Sequence, residues 1–312
     1  MPAPAKHPDE SGWFEAEFGC ATAEVFHAPS RSVLRLPLPR LGGGAVERLF
    51  PGARGIGEAH GFSLHEADDL LIGCSVLPLE GALTEAARDL YRRMHAASEG
   101  RSLYRIWNYV PAINAECAGQ ENYRAFCIGR AEAFEAAHGS GFKHALPAAS
   151  GVGCEGGALA VLFVAGRTAP RHVENPAQVP AYEYPREHGD RSPSFARATV
   201  AAHAGRPLVF LSGTASVKGH ATVAPHSLSG QLDCTLDNLR IIGRAAGVGG
   251  SLGANSGMAR HFKVYLRHAE DLAGVRSRLE RDLFRPEDRV IYLRADICRA
   301  ALNLEIEATL VG

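Results

Sequence analysis

The sequence predicts an α+β fold made of two units, each a mixed sheet with helices packed on one face. Three observations carry this expectation. The chain has 312 residues, 46% of them hydrophobic, enough material for two cores. Its second half sets short apolar runs against two amphipathic stretches of helical period. Its first half repeats a looser form of the same succession, strands, helix, strand, helix, strand, which points to a degenerate internal duplication. The expected boundaries are 1–165 for the N-terminal unit, 166–195 for a proline-rich connection and 196–312 for the C-terminal unit.

Each element has its own warrant. Residues 1 to about 30 are polar and mixed and read as an extended start. "RSVLRLPLPRLGGGAVERLFPG" reads as strand and turn, because short apolar pieces alternate with Gly and Pro. Asp69 to Leu79 reads as a strand. A helix follows, with Thr84 as its N-cap and Ala86, Leu90, Tyr91 and Met94 at helical spacing. "SLYRIWNYVPAIN" is aromatic and β-branched, a buried strand. "ENYRAFCIGRAEAFEAAHG" brings Tyr123, Phe126, Cys127, Ala131 and Phe134 to one side of a helix that ends at Gly139. "GALAVLFVAG" is wholly apolar and reads as a central strand. From Gly166 to Arg197 five prolines interrupt the chain. Its "QVPAYEYP" is too aromatic for a plain linker and is expected to line something. In the second half, Leu232, Leu236, Leu239, Ile242 and Ala246 share one helical face, as do Leu272, Val275, Leu279 and Leu283. The closing "RADICRAALNLEIEATL" reads as a hairpin.

Several classes of function are disfavoured. With 33 basic and 34 acidic residues, the chain has no global electrostatic reason to bind nucleic acid or an anionic membrane. No apolar run of ~18 residues is present, so no membrane span is expected, and the start lacks a signal core. Seven scattered cysteines without CxxC read as reduced thiols of a cytoplasmic protein. No HExxH or paired Cys/His spacing appears, so no metal and no cofactor are expected. "GRAAGVGGSLGANSG" follows a helix rather than a strand, so it lacks the geometry of a phosphate cradle and reads as a mobile loop.

The second half resembles the YjgF/RidA family through "FLSGTAS", "GQLDCTLDNLRIIGRAAG", "FKVYLRHAEDLAGVRSRLERDL" and the closing "LEIEATL". The longer chain is similar to the chorismatases over about residues 100–312. The motifs are "YRIWNYVPAIN", "ENYRAFCIGRAEAF", "HVENPAQVPAYEYP", "SPSFARAT" and "LSGTASVKGHATVAPH", in that order. The resemblance implies two RidA-like (chorismate-mutase-like) units and removal of the enolpyruvyl side chain of chorismate as pyruvate. In the hydrolytic group a small residue stands seven positions before the catalytic glutamate, whereas the hydroxybenzoate-forming group has cysteine there. Cys298 stands seven before Glu305, which implies a 3-hydroxybenzoate synthase, with 4-hydroxybenzoate as a further product in some similar enzymes. RidA relatives are trimers with clefts between subunits. A homotrimer is therefore one expectation, and a duplication that replaces one such contact is the other.

The chemistry agrees with the residues. Breaking an enol ether begins with protonation of its methylene carbon, which needs a carboxyl that keeps its proton near neutral pH. Glu305 lies between Leu304 and Ile306, and lost hydration should raise its pKa. Glu307 shares its strand parity, and the family ending selects Glu305 as the acid. Cys298 would steer the ring intermediate or exclude water. Arg130 is the expected carboxylate anchor, since a guanidinium fork matches a carboxylate. Tyr123 and Tyr184 are expected donors, and Gly213, Thr214 and Ala215 a backbone approach. Arg294, which shares the parity of Cys298, is favoured over Arg289 for the second carboxylate. The competing readings are hydrolysis to a dihydroxycyclohexadiene acid, a RidA-like imine deaminase, and a non-catalytic binding module.

Overall fold

The computed structural model describes residues 13–28 and 31–312. The rest of the extended start expected for residues 1 to about 30 lies outside the described residues. The part that is described forms the strands Trp13–Phe18 and Glu24–Ala28.

Two sheets dominate, and they share one topology. The first runs in the order Ala148–Cys154, Ser102–Pro111, Ala158–Gly166, Leu70–Pro78, Phe62–Ala67, Arg54–Ala59. The second runs Arg289–Arg294, Ala259–Leu266, Leu304–Val311, Arg206–Thr214, Ala198–His203, Arg171–Val173. In both, only the two strands at the start of the row pair in parallel, and each of those pairs is joined by a helical crossover. The repeated succession of elements reappears as a repeated strand order. The two sheets face each other across a core that includes Trp107, Leu162, Phe210 and Leu293.

The helices cover the outer faces. α1 (Leu83–Ala97) and α2 (Asn122–His138) bury Leu90, Tyr91, Met94, Phe126 and Phe134 against the first sheet. They approach closely because Gly129 has no side chain: a Cβ there would stand 2.1 Å from the Thr84 carbonyl oxygen. The cap of α1 differs from expectation. Ala82 occupies that position, and Thr84 is already helical, its hydroxyl donating to the Ala125 carbonyl at 3.1 Å. α3 (Leu228–Ala245) and α4 (Leu272–Asp282) cover the second sheet with the expected apolar faces. Ser227 caps α3, its hydroxyl accepting from Gly230 N–H.

Three further readings are corrected. Residues 294–310 are not a hairpin. The strand Ala259–Leu266 lies between Arg289–Arg294 and the final strand, so residues 295–303 arch over its end instead of turning back on themselves. The strand Arg40–Gly43, assigned in sequence to the N-terminal unit, pairs with Arg289–Arg294 and closes the edge of the second sheet. The glycine-rich loop after α3 is fastened rather than loose: Arg260 donates to the Ser251 carbonyl at 2.8 Å, and Arg285 donates to that of Ala254. Among the described residues, no helix is long and apolar enough to cross a membrane.

Candidate active site

A cavity of about 550 Å³ opens at one seam between the two sheets, a volume typical of small-molecule sites. Its floor is the central strand of the second sheet. Glu305 and Glu307 project from that strand to the same side, two residues apart, and each is only 3% exposed. Their surroundings differ sharply.

Glu307 is saturated. Its carboxylate accepts from Arg105 Nη2 at 2.7 Å, Trp107 Nε1 at 2.7 Å and Ser150 Oγ at 2.5 Å, and Lys263 Nζ lies 2.9 Å away. Burial pushes its pKa up, but the charges of Lys263 and Arg105 and the Ser150 hydroxyl outweigh burial and hold it below the ordinary value. Glu305 Oε1 has no hydrogen-bond partner among the described residues. Burial, reinforced by the charge of Glu307, raises its pKa to about 8, against the pull of Arg105 and Arg197. One strand thus presents an ionised carboxylate and a neutral carboxylic acid side by side. Only the neutral one lines the cavity.

Gly213 explains how Glu305 fits. A Cβ at that position would stand 2.0 Å from Glu305 Oε1, so only glycine leaves the carboxyl its place. The backbone there is fixed across the seam, because Gly213 N–H donates to Ser150 Oγ at 2.9 Å. Cys298 sits on the arch before the final strand. Burial, and then the neighbouring Glu305, push its thiol up to about 12, so it is a neutral thiol at neutral pH.

Guanidinium groups from three different elements line the same cavity. Arg130 of α2 is buried over the rings of Tyr91, Phe126 and Phe134, at 5.3, 5.9 and 5.9 Å. Its Nε and Nη2 have no hydrogen-bond partner among the described residues. Arg197 lies 5.0 Å from the Phe195 ring and donates from Nη2 to Tyr184 Oη at 2.5 Å. Arg299 donates to the His220 carbonyl at 2.8 Å. Buried donors left without partners are costly unless a ligand satisfies them. The arrangement therefore suits a small dianion presented to a proton-bearing carboxyl.

Three comparisons bear on these features. Residues 51–165 match the family model described as "Chorismatase FkbO/Hyg5-like, N-terminal". A protein of Streptomyces hygroscopicus named 3-hydroxybenzoate synthase is 39% identical over 267 residues, which is 82% of this chain and 78% of that one. A protein of Streptomyces rapamycinicus named chorismatase is 37% identical over 269 residues, 82% of this chain and 79% of that one. The chain belongs to the chorismatase family. A solved chorismatase structure superposes with a TM-score of 0.84 at 30% identity, covering 99% of this chain and 95% of the other.

Within this chorismatase fold, Glu305, Cys298, Arg130, Tyr123, Tyr184, Gly213 and Ala215 come together around one cavity. Three expected residues do not line it. Thr214 turns the other way, its buried hydroxyl donating to the Ser212 carbonyl at 2.9 Å, because strand neighbours alternate sides. Arg294 lies outside, 3.8 Å from Glu155. The chain leaves the strand at residue 295, so parity with Cys298 carries no information. Arg289 begins that strand on the rim of a different cavity, beside His261 and Asp288. Sequence reasoning missed Arg197, Arg299 and Ser150. Arg197 stood inside the motif "SPSFARAT" and Arg299 directly after Cys298, so both had a signal. Ser150 had none, since its role exists only across the seam.

Proposed function

We propose that this enzyme cleaves chorismate to 3-hydroxybenzoate and pyruvate, with Glu305 as general acid and Cys298 directing the aromatising outcome. The observation that carries the reading is the neutral Glu305 carboxyl, buried beside a neutral thiol in a cavity lined by arginines. The S. hygroscopicus relative named 3-hydroxybenzoate synthase supports it. The C-terminal unit, 196–312, supplies the acid and the thiol. The N-terminal unit, 1–165, contributes Arg130 and Tyr123, and the connection, 166–195, contributes Tyr184.

In this mechanism Arg130 and Arg197 receive the two substrate carboxylates, and Tyr184 holds the Arg197 guanidinium in place. Glu305 gives its proton to the methylene carbon of the enol ether. The ether bond to the ring carbon then breaks and releases pyruvate. The oxygen of the neighbouring ring hydroxyl closes on that carbon, and its proton returns to the Glu305 carboxylate. The strained oxide opens, the ring loses a proton from carbon, and the oxygen regains one, giving 3-hydroxybenzoate. No water is consumed, so the two products account for every atom of chorismate. Hydrolysis would add one water and give the dihydroxycyclohexadiene acid. In this reading the Cys298 side chain, which lines the cavity, keeps such a water from the ring.

The test is incubation of the purified protein with chorismate and separation of products by liquid chromatography. The expected result is 3-hydroxybenzoate with one equivalent of pyruvate, and 4-hydroxybenzoate at most as a minor peak. The dihydroxycyclohexadiene acid as main product would overturn the role of Cys298. Unchanged chorismate would overturn the reading itself.

A further inference from the structure

The rim of the cavity carries a cluster that this reaction does not use. Glu187 and His188 lie in the short 3-10 turn Arg186–His188 of the connecting segment. His220 lies in the turn between the small strands Val217–Lys218 and Ala221–Thr222. His188 Nε2 is 3.0 Å from His220 Nδ1. Glu187 Oε1 is 3.4 Å from His188 Nε2 and 3.3 Å from His220 Nδ1. Three atoms able to bind a metal thus converge at the corners of a nearly equilateral triangle. In a tetrahedral zinc site with bonds of ~2.0–2.1 Å, the ligand atoms stand ~3.3 Å from one another. The triangle has the dimensions of one face of such a tetrahedron.

We propose that Glu187, His188 and His220 form a binding site for a divalent transition-metal ion of the zinc class, and that the bound ion clamps the cavity mouth. Two imidazoles and one carboxylate are a ligand set of catalytic and regulatory zinc sites, with the fourth position left to water. The backbone that carries the ligands is fixed independently. Arg124 Nη2 donates to the Glu187 carbonyl at 3.2 Å, and Arg299 Nη1 donates to the His220 carbonyl at 2.8 Å. Those two guanidiniums also repel a cation, which sets the affinity well below that of a structural zinc site. The consequence for the cavity follows from where the ligands sit. His188 and Thr222 both line it, and Tyr184 packs 5.3 Å from the His188 ring. An ion would tie the connecting segment to the 217–222 turn across the entrance and slow exchange of small molecules. No sequence motif reveals this set, because two ligands are adjacent and the third is distant in the chain.

The experiment titrates tag-free protein with Co²⁺ and reads its visible absorption, a signal that does not depend on the enzyme's reaction. The expected result is one equivalent bound with the intense bands of a tetrahedral site, displaced by Zn²⁺. His220→Ala and Glu187→Gln should each weaken binding at least ~10-fold. One equivalent of Zn²⁺ should slow chorismate turnover by the wild type, reversibly with a chelator, and leave His220→Ala unaffected. That variant should keep full metal-free turnover, since Arg299 is held by the His220 backbone and not by its ring. Absence of Co²⁺ binding, or binding unaltered in both variants, would overturn the site. Turnover indifferent to stoichiometric Zn²⁺ would overturn the clamp.

Discussion

Replacing Glu305 with Gln should abolish turnover and at the same time stabilise the protein in alkali. The sign follows from linkage. The folded-state pKa of about 8 lies above the ordinary 4.5, so the native protein binds more protons than the unfolded chain between those values. Stability therefore falls as pH rises through that window. Below about pH 4.5 the carboxyl is protonated in both states and imposes no penalty; above about pH 8 the penalty is complete. At ~1.4 kcal/mol per pH unit the full penalty is roughly 5 kcal/mol, of which about 3 is present at pH 7 and about 1 at pH 5. Gln has the shape of the protonated acid and no charge to bury. The stability of Glu305→Gln relative to wild type should therefore change by about 4 kcal/mol between about pH 5 and about pH 9. Denaturant unfolding of both proteins at the two pH values measures it, and titrations common to both cancel. The turnover of the wild type should fall above about pH 8 as the acid loses its proton. A stability difference independent of pH, or turnover that climbs across this range, would refute the argument that burial keeps this carboxyl neutral.

Four further outcomes follow from the same geometry. Gly213→Ala should remove most activity while leaving the unfolding midpoint within a few degrees, because its Cβ would displace only the Glu305 carboxyl; unaltered kinetics would sink that reading. Cys298→Ala should keep pyruvate release and raise the share of dihydroxycyclohexadiene acid, measured by chromatography of the products. Arg130→Lys should raise KM for chorismate at least ~10-fold, since an ammonium cannot reproduce a bidentate guanidinium contact, and isothermal titration with a non-reacting dicarboxylate checks it. Glu307→Gln should cost ~3–5 kcal/mol in unfolding by leaving the buried Arg105 without its counter-ion, while Lys263 keeps Glu47. It should also move the alkaline limb of the rate profile to lower pH, because the charge that helps raise the Glu305 pKa is gone.

Much of this was legible in the sequence, for local reasons. The faces of α3 and α4 follow from side-chain period, and the closing "LEIEATL" singles out Glu305 only through the family resemblance. The legible signals are those a few residues long. What stayed hidden depends on the seam. Arg105 and Glu307 are 202 residues apart in the chain, and nothing in either neighbourhood announces the pairing. Without it, Glu305 and Glu307 look equivalent, since parity puts both on one side. The misplacement of Arg294 has the same origin. Reading parity through to Cys298 assumed a continuous strand, and the arch at 295–303 breaks it because the final strand pairs with Ala259–Leu266 instead.

The repeated topology explains why one seam is a site and its counterpart is not. Tyr265 pairs with Glu305 in the second sheet, and Lys263 with Glu307. At the matching places of the first sheet, Tyr109 pairs with Ala160 and Trp107 with Leu162. The inward-facing side chains of the strand Ala158–Gly166 are alkyl rather than carboxylate, and they fill the core between the sheets. The first unit keeps instead what the second lacks. Its edge strand Ala148–Cys154 meets the second unit through bridges at Ala148–Ala196 and Val152–Ile297, which brings Ser150 across to Gly213 and Glu307. The equivalent edge of the second unit, Arg289–Arg294, is covered by Arg40–Gly43. Acids on the central strand of one unit only, and a covered edge in that same unit, leave a single asymmetric cleft. In it one unit carries Glu305, and the other carries Ser150 and Arg105, which fix Gly213 and Glu307 beside it.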